Sequence, residues 1–401
     1  PTQRLLFFDF PNCSESHSSE TIVLALEKSL SITISHFLPL SGNIILPSTN
    51  SVTLPINRYR LGDSISLTVA RCDHDFDYLT GNHQRLAGSV EFPVLALQIT
   101  LFPGQGLCLG LINHHAVAGE SSILNFFKSC AFAKNFGLAD GKDYNFPVLD
   151  TSLVQDPKRL DSEAWNLVRS SRAVLPVELP SLTFPANKVR ATFVLTKNEA
   201  RNLKSNTPII RYVSSFTAVS AYVWTCLVKS GEMTNDDEIV YFGCAADCRA
   251  RLVPPLPEGY FGNCVVFAIA QSRAALLRRY DGFLIAAETI GDAVVETVYG
   301  EKGILESADW PLDFGKFDDK RLVSVAGSPR FDAYKVDYGW GSIDWEETIS
   351  VTGSRVFEGG FEVGLSRYIQ CLMKPAFFSF LKMFLSLKKT SESKFSPASR
   401  V

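Results

Sequence analysis

The sequence predicts an α/β protein of two similar-sized domains with mixed β-sheets, and three observations carry that expectation. The chain has 401 residues, 46% of them hydrophobic and 29 of them Phe, which is more length and more apolar material than one ordinary domain uses. Apolar runs of strand length alternate with stretches of helical spacing in both halves. Between the halves, residues 172–188 (RAVLPVELPSLTFPANK) are punctuated by Pro176, Pro180 and Pro185 and read as an extended crossover. The expected division is residues 1–172, a crossover at 173–188, and residues 189–401.

Taken in order, residues 19–35 carry Ile22, Leu26 and Leu30 at helical spacing with Glu20 in the first turn, and LPLSGN (38–43) turns the chain. Residues 94–102 (VLALQITLF) read as a largely buried strand, PGQG (103–106) as a turn and 107–112 (LCLGLI) as a second strand, together a hairpin. Ser121 or Ser122 is then expected to cap a helix. Ile123, Phe126, Phe127 and Cys130 follow at helical spacing, and Gly137 ends it. In the second half, residues 189–195 read as a strand and Ser214 with Ser215 open the helix of SSFTAVSAYVWTCLVKS. Residues 239–246 and 265–270 are further buried strands.

Composition excludes several classes. The formal net charge is −3 and the charges are interspersed, so neither a nucleic-acid stripe nor a membrane-binding face is expected; the one basic patch, at 387–391, reads as a solvated end. No apolar run approaches the roughly 18 to 20 residues of a membrane span, and PTQRLLFFDF lacks the regions of a signal peptide. The nine cysteines are odd in number, and the closest pair, Cys244 and Cys248, has no matching pair at zinc-site spacing. Reduced thiols in the cytoplasm, no metal and a monomer are the expectations.

Chemistry points to INHHAVAGESS (112–122), which puts two of the chain's six histidines where an apolar strand stops and a helix begins. A neutral imidazole at a strand end can take a proton from a hydroxyl. A pair of hydrogen-bonded structural histidines fits the same stretch. Metal binding by both is disfavoured, because adjacent residues on a strand point to opposite faces. There is no phosphate-binding loop, no G-x-S-x-G elbow and no H-E-x-x-H, and GGFEVG (359–364) reads as a tight turn.

Two more stretches, YFGNC (260–264) and DYGWG (337–341), join HHAVA in a resemblance to the BAHD family of plant coenzyme A-dependent acyltransferases, with its H-x-x-x-D and D-F-G-W-G motifs. With the sequence around them (243–264 and 324–341), they look like the branch that malonylates anthocyanin and other flavonoid glycosides. The resemblance runs from the first residues to about Leu365. It implies two domains of chloramphenicol acetyltransferase-like topology with an active-site channel between them. His115 would be the general base, deprotonating a sugar hydroxyl that attacks the thioester of malonyl-coenzyme A without an acyl-enzyme. Acetyl-coenzyme A as donor, or a non-catalytic relative that binds a flavonoid glycoside or coenzyme A, are the alternatives.

The resemblance also assigns supporting parts. Asp337 stands where the family's second motif is sometimes given a proton-acceptor role, although a structural ion pair is the expected one. Trp340 holds the same loop and is a candidate for binding substrate; Asn263 is a structural residue of YFGNC. Apart from the resemblance, Ser214 and Ser215 open a helix just after Arg211 and are a candidate site for the phosphates of coenzyme A, although an ordinary N-cap fits them as well. The family's Asp of the first motif pairs with an Arg, for which Arg249 and Arg251 are the candidates. Here that Asp position is Gly119, with Glu120 the nearest carboxylate. Restoring an acid at 119 is expected to stiffen the loop. No cofactor beyond the acyl donor is expected.

Overall fold

The computed structural model describes residues 2–47, 53–73, 91–137, 146–156, 159–166, 188–207, 213–230, 235–300, 304, 321–325, 327–328, 335–340, 343–345, 350–354 and 357–368. The crossover expected at 173–188 lies, apart from Lys188, outside these residues, as do Arg211 and the basic stretch at 387–391.

The main elements are β1 (Thr2–Asp9), α1 (Leu24–Ile34), β2 (Asn43–Ile45), β3 (Ile56–Arg58), β4 (Ser66–Arg71), β5 (Glu91–Pro93), β6 (Leu95–Phe102), β7 (Gly106–Asn113) and α2 (Glu120–Phe136). They continue with β8 (Lys188–Leu195), α3 (Lys197–Ser205), α4 (Ser215–Lys229), β9 (Ile239–Asp247), β10 (Val265–Arg273) and α5 (Gly282–Tyr299). Four short or late strands close the list: β11 (Leu322–Val325), β12 (Ile343–Trp345), β13 (Ser350–Gly353) and β14 (Phe361–Tyr368).

The chain divides into two compact units that are not contiguous in sequence. The first takes Pro1–Phe184 together with Leu252–Cys264 and Ala333–Glu346; the second takes the remainder. YFGNC and the first residues of DYGWG therefore pack with the first unit, although they fall in the later half of the chain.

The first unit is built on a five-stranded sheet ordered β12-β1-β7-β6-β4, antiparallel except for the β4/β6 pair. The expected hairpin is present: Phe102 pairs with Gly106 at its head and Leu95 with Asn113 at its foot. Apolar side chains fill both strands because the hairpin is interior to the sheet. Gly106 is fitted to its neighbour. A Cβ there would lie 2.0 Å from the carbonyl oxygen of Phe8, so only glycine lets β1 close on the turn. Phe8, Phe37, Phe102, Phe126 and Phe127 are fully buried and make up much of the core. β2, β3 and β5 form a separate three-stranded antiparallel sheet.

In the second unit β10-β9-β11 and β13-β14-β8 form two three-stranded sheets, with β9 and β11 parallel. Trp224 of α4, Phe242 of β9 and Ile290 of α5 share one buried cluster. α3 begins with a reciprocal cap: Thr196 accepts from Glu199 N, and the Glu199 carboxylate accepts from Thr196 N.

Two boundaries differ from expectation. The first helix starts earlier than residue 19, at Glu15, capped by Ser14, and passes through a π-helical stretch at Ser18–Val23. α2 is not capped by Ser121 or Ser122. Its N-cap is Gly119, which has no side chain to offer, because Ser122 is committed to another segment.

Candidate active site

β7 delivers INHHAVAGESS to one edge of the first unit. Asn113 ends the strand, buried, and its Nδ2 reaches the carbonyl oxygen of Ala118 at 3.4 Å. His114 N donates to Val94 O at 2.8 Å, and Val117 N to His114 O at 3.0 Å. The four residues 114–117 thus make a tight turn whose foot is tied to the sheet.

The two histidines have different surroundings. His114 is half-buried, and among the described residues its buried Nδ1 has no hydrogen-bond partner. Burial holds its imidazole below the ordinary value, and the charge of the neighbouring His115 adds to the effect. His115 is exposed at the crest of the turn.

Asn263 of YFGNC reaches the same turn. Its Nδ2 donates to the carbonyl oxygen of His115 at 2.5 Å. The Asn263 Oδ1 lies over Gly119, where a Cβ would meet it at 2.7 Å. The segment is pinned on its other side by Ser122, whose Oγ accepts from Gly262 N at 3.1 Å and faces Gly262 O at 3.3 Å. Phe261 packs on Phe37, which packs on Phe126 of α2, at ring distances of 5.9 and 5.4 Å. Asn263 and His115 are therefore brought together by buried edge-on aromatic contacts and a serine bridge.

Glu120, the first residue of α2, is gripped by Arg4 of β1: two guanidinium nitrogens meet the two carboxylate oxygens. This corrects the expected partners. Arg249 and Arg251 belong to the second unit, where Arg249 pairs with the Asp247 carboxylate at 3.2 Å and Arg251 donates to the Asp247 carbonyl oxygen.

DYGWG is not at the histidine turn. Lys134 Nζ donates to Tyr338 O at 2.6 Å and Asn135 Nδ2 to Asp337 O at 3.0 Å, which fixes the loop to the C-terminal end of α2. At 1.5 Å per residue that is roughly 20 Å along the helix from Gly119. The Asp337 carboxylate accepts from Gly339 N at 2.7 Å and closes its own loop; among the described residues no cation pairs with it. Trp340 is 3% exposed, stacked on Tyr338 at 4.6 Å and edge-on to Phe8 at 5.2 Å. It packs in the core of the first unit.

Ser214 caps α4 by accepting from Thr217 N at 3.0 Å. Ser215 lines an open hollow of about 320 Å³ with Lys197, Arg201 and Lys204 of α3. Among the described residues no group of three or more metal-ligating side chains occurs, and no helix is long and apolar enough to cross a membrane.

The pattern has relatives. A family model described as the Transferase family matches residues 2–354. A malonyl-coenzyme:anthocyanin 5-O-glucoside-6'''-O-malonyltransferase of Salvia splendens is 37% identical over 91% of this chain and 85% of its own. The chain belongs to the BAHD acyltransferase family. It is thus an acyltransferase. Other BAHD relatives are a phenolic glucoside malonyltransferase of Nicotiana tabacum, 36% identical over 87% of this chain and 82% of its own, and a malonyl-coenzyme A:anthocyanin 3-O-glucoside-6''-O-malonyltransferase of Dahlia pinnata, 33% identical over 91% and 86%. Vinorine synthase matches in fold with a TM-score of 0.64 at 18% identity, covering 94% of this chain and 89% of its own. So does TRI101 of F. sporotrichioides complexed with coenzyme A and T-2, with a TM-score of 0.64 at 16% identity over 92% of each chain. The fold is the chloramphenicol acetyltransferase-like one of this BAHD family.

Three site residues escaped sequence reasoning. Asn113 has a visible signal, a polar residue closing an apolar strand. Arg4 and Ser122 have none, since each acts on a partner more than a hundred residues away.

Proposed function

We propose that this BAHD enzyme transfers malonyl from malonyl-coenzyme A to a sugar hydroxyl of an anthocyanin or other phenolic glucoside, with His115 as general base. The observation that carries the base is the exposed imidazole at the end of β7, on a backbone held by Asn263. The choice of malonyl and of a glucoside rests on the relatives whose names carry those substrates.

The chemistry asks little more of the turn. A sugar hydroxyl is a weak nucleophile, and a positioned base contributes about 10² to 10⁴-fold. His115 takes the hydroxyl proton as the oxygen attacks the thioester carbonyl; collapse of the tetrahedral intermediate expels the coenzyme A thiolate, to which the proton passes. His114 is the poorer base, since burial disfavours its charged form. For the donor's phosphates, the supporting feature is the hollow where Lys197, Arg201 and Lys204 surround the opening of α4 at Ser215. The malonyl carboxylate also requires a cationic or donor-rich contact.

The test is a panel of acyl-coenzyme A donors against phenolic and anthocyanin glucosides, following thiol release and product mass. Malonyl-coenzyme A is expected to give the highest kcat/KM. Equal values for acetyl-coenzyme A would make it a general aliphatic acyltransferase, and binding without turnover would make it a non-catalytic relative. Size-exclusion chromatography, and assays with and without chelator, test the monomeric, cofactor-free form.

A further inference from the structure

Of the links that hold the His115 turn, one is ionic and reaches across the fold. β1 lies beside β7 with Thr2 opposite Asn113 and Arg4 opposite Leu111, so Arg4 sits one rung pair below the strand end that launches the turn. From there it reaches Glu120, the first residue of the helix that receives the turn. The pair is well withdrawn from water, with side chains 6% and 18% exposed. Two guanidinium nitrogens on two carboxylate oxygens fix orientation as well as distance, which a single-point contact does not.

The rest of the helix start is held by uncharged contacts, of Ser122 with Gly262 and of Asn263 beside Gly119. Gly119 gives α2 no side-chain cap, and Glu120 is the one acidic residue in its first turn. Its carboxylate is favourably placed at the positive end of the helix. The foot of the turn is tied to the sheet through His114 N and Val94 O, while the head depends on where α2 begins. A buried ion pair adds little net stability over an apolar pair of similar volume. What it supplies here is a defined place for the helix start, and so for the turn before it.

We propose that Arg4 and Glu120 are positioning residues for catalysis, setting the His115 turn by tying the first residue of α2 to β1. The inference rests on His115 being the base. Neither residue touches the reacting atoms.

The experiment compares the full chain with Arg4→Lys, Arg4→Met, Glu120→Gln and the charge-reversed double variant Arg4→Glu/Glu120→Arg. It reads kcat, KM for malonyl-coenzyme A and for the glucoside, and hydrogen–deuterium exchange of peptides covering 113–119. A base displaced by about 1 Å loses on the order of 10²-fold. Arg4→Met and Glu120→Gln are expected to lose kcat on that scale with both KM values nearly unchanged, and to exchange faster at 113–119 than elsewhere in the first unit. Arg4→Lys keeps the charge and loses the two-point grip, so it should show a smaller loss of the same kind. The reversed pair should recover part of the kcat that either neutral variant loses.

Wild-type kcat and unchanged exchange at 113–119 in Arg4→Lys overturn the proposal even if the neutral variants fail to fold. So does a loss confined to KM. If the wild-type chain transfers no acyl group to any acceptor, the functional reading fails by itself; exchange at 113–119 in Arg4→Lys still decides whether the pair sets the turn.

Discussion

The side-chain amide of Asn263 holds the main-chain oxygen of His115 at 2.5 Å, and its Oδ1 fills the space beside Gly119. One side chain therefore touches both the residue proposed as base and the cap of the helix that follows. Because the grip is on the backbone, the imidazole can be removed without loosening the turn.

That separation makes His115→Ala a clean substitution. Transfer should fall by about 10² to 10⁴-fold while melting temperature and coenzyme A binding stay at wild-type values. Steady-state kinetics with calorimetry check it. A dead His114→Ala beside an active His115→Ala would reassign the base.

Gly119 carries the opposite expectation from the one its sequence suggests. A Cβ at 119 meets Asn263 Oδ1 at 2.7 Å, so the amide must shift, and the same amide holds the His115 carbonyl. Gly119→Ala and Gly119→Asp should both lower kcat, and neither should improve it. Asn263→Ala should lower kcat too, with a stability loss of about 1 kcal/mol for the hydrogen bond. A faster Gly119→Asp enzyme would mean that the amide yields freely.

His114 predicts how stability changes with pH. Its folded-state pKa is depressed by burial, so below the ordinary histidine value the unfolded chain binds the additional proton. This contribution to stability is present above about pH 6.5 and is lost as pH falls through the folded-state pKa. Denaturant titrations from pH 8 to pH 5 should show a steeper fall for the wild type than for His114→Asn. Parallel curves would count against a charge-sensitive His114.

Burial also governs the thiols. Cys130, Cys226 and Cys244 are buried, and desolvation pushes each up to about 12. Thiolate is the reactive form, so brief iodoacetamide treatment of the native protein at pH 8 should leave all three unmodified by peptide mass mapping. Rapid labelling of Cys130 would reveal an opening of the α2 core.

The strands and helices were legible because their signals are local. The β6–β7 hairpin follows from two apolar runs around PGQG, and α2 from the spacing of Ile123, Phe126, Phe127 and Cys130. The His turn was legible for the same reason, as polar residues breaking an apolar strand. The connections were not. Glu120 looked like a stand-in for a missing Asp awaiting Arg249 or Arg251, yet its partner is Arg4, 116 positions away. Trp340 belonged to a motif and so looked functional, while its contact with Phe8 makes it core. Periodicity reports which face of an element is buried. It carries no information on which distant side chain completes an ion pair or a ring stack.

The non-contiguous makeup of the first unit bears on how the chain is made. Leu6 and Phe8 of β1 pair with Trp345 and Ile343, and Phe8 is covered by Tyr338 and Trp340. β1 must wait for β12, whose Ile343 lies 335 positions after Phe8, before its outer edge is closed. Until then it presents unpaired backbone groups and uncovered aromatic rings, the features that invite association between chains. Yield in a foreign host should therefore be limited by growth temperature and chaperone supply more than by the stability of the finished molecule. A chain stopped before residue 335 should collect in the insoluble fraction, however complete its histidine turn.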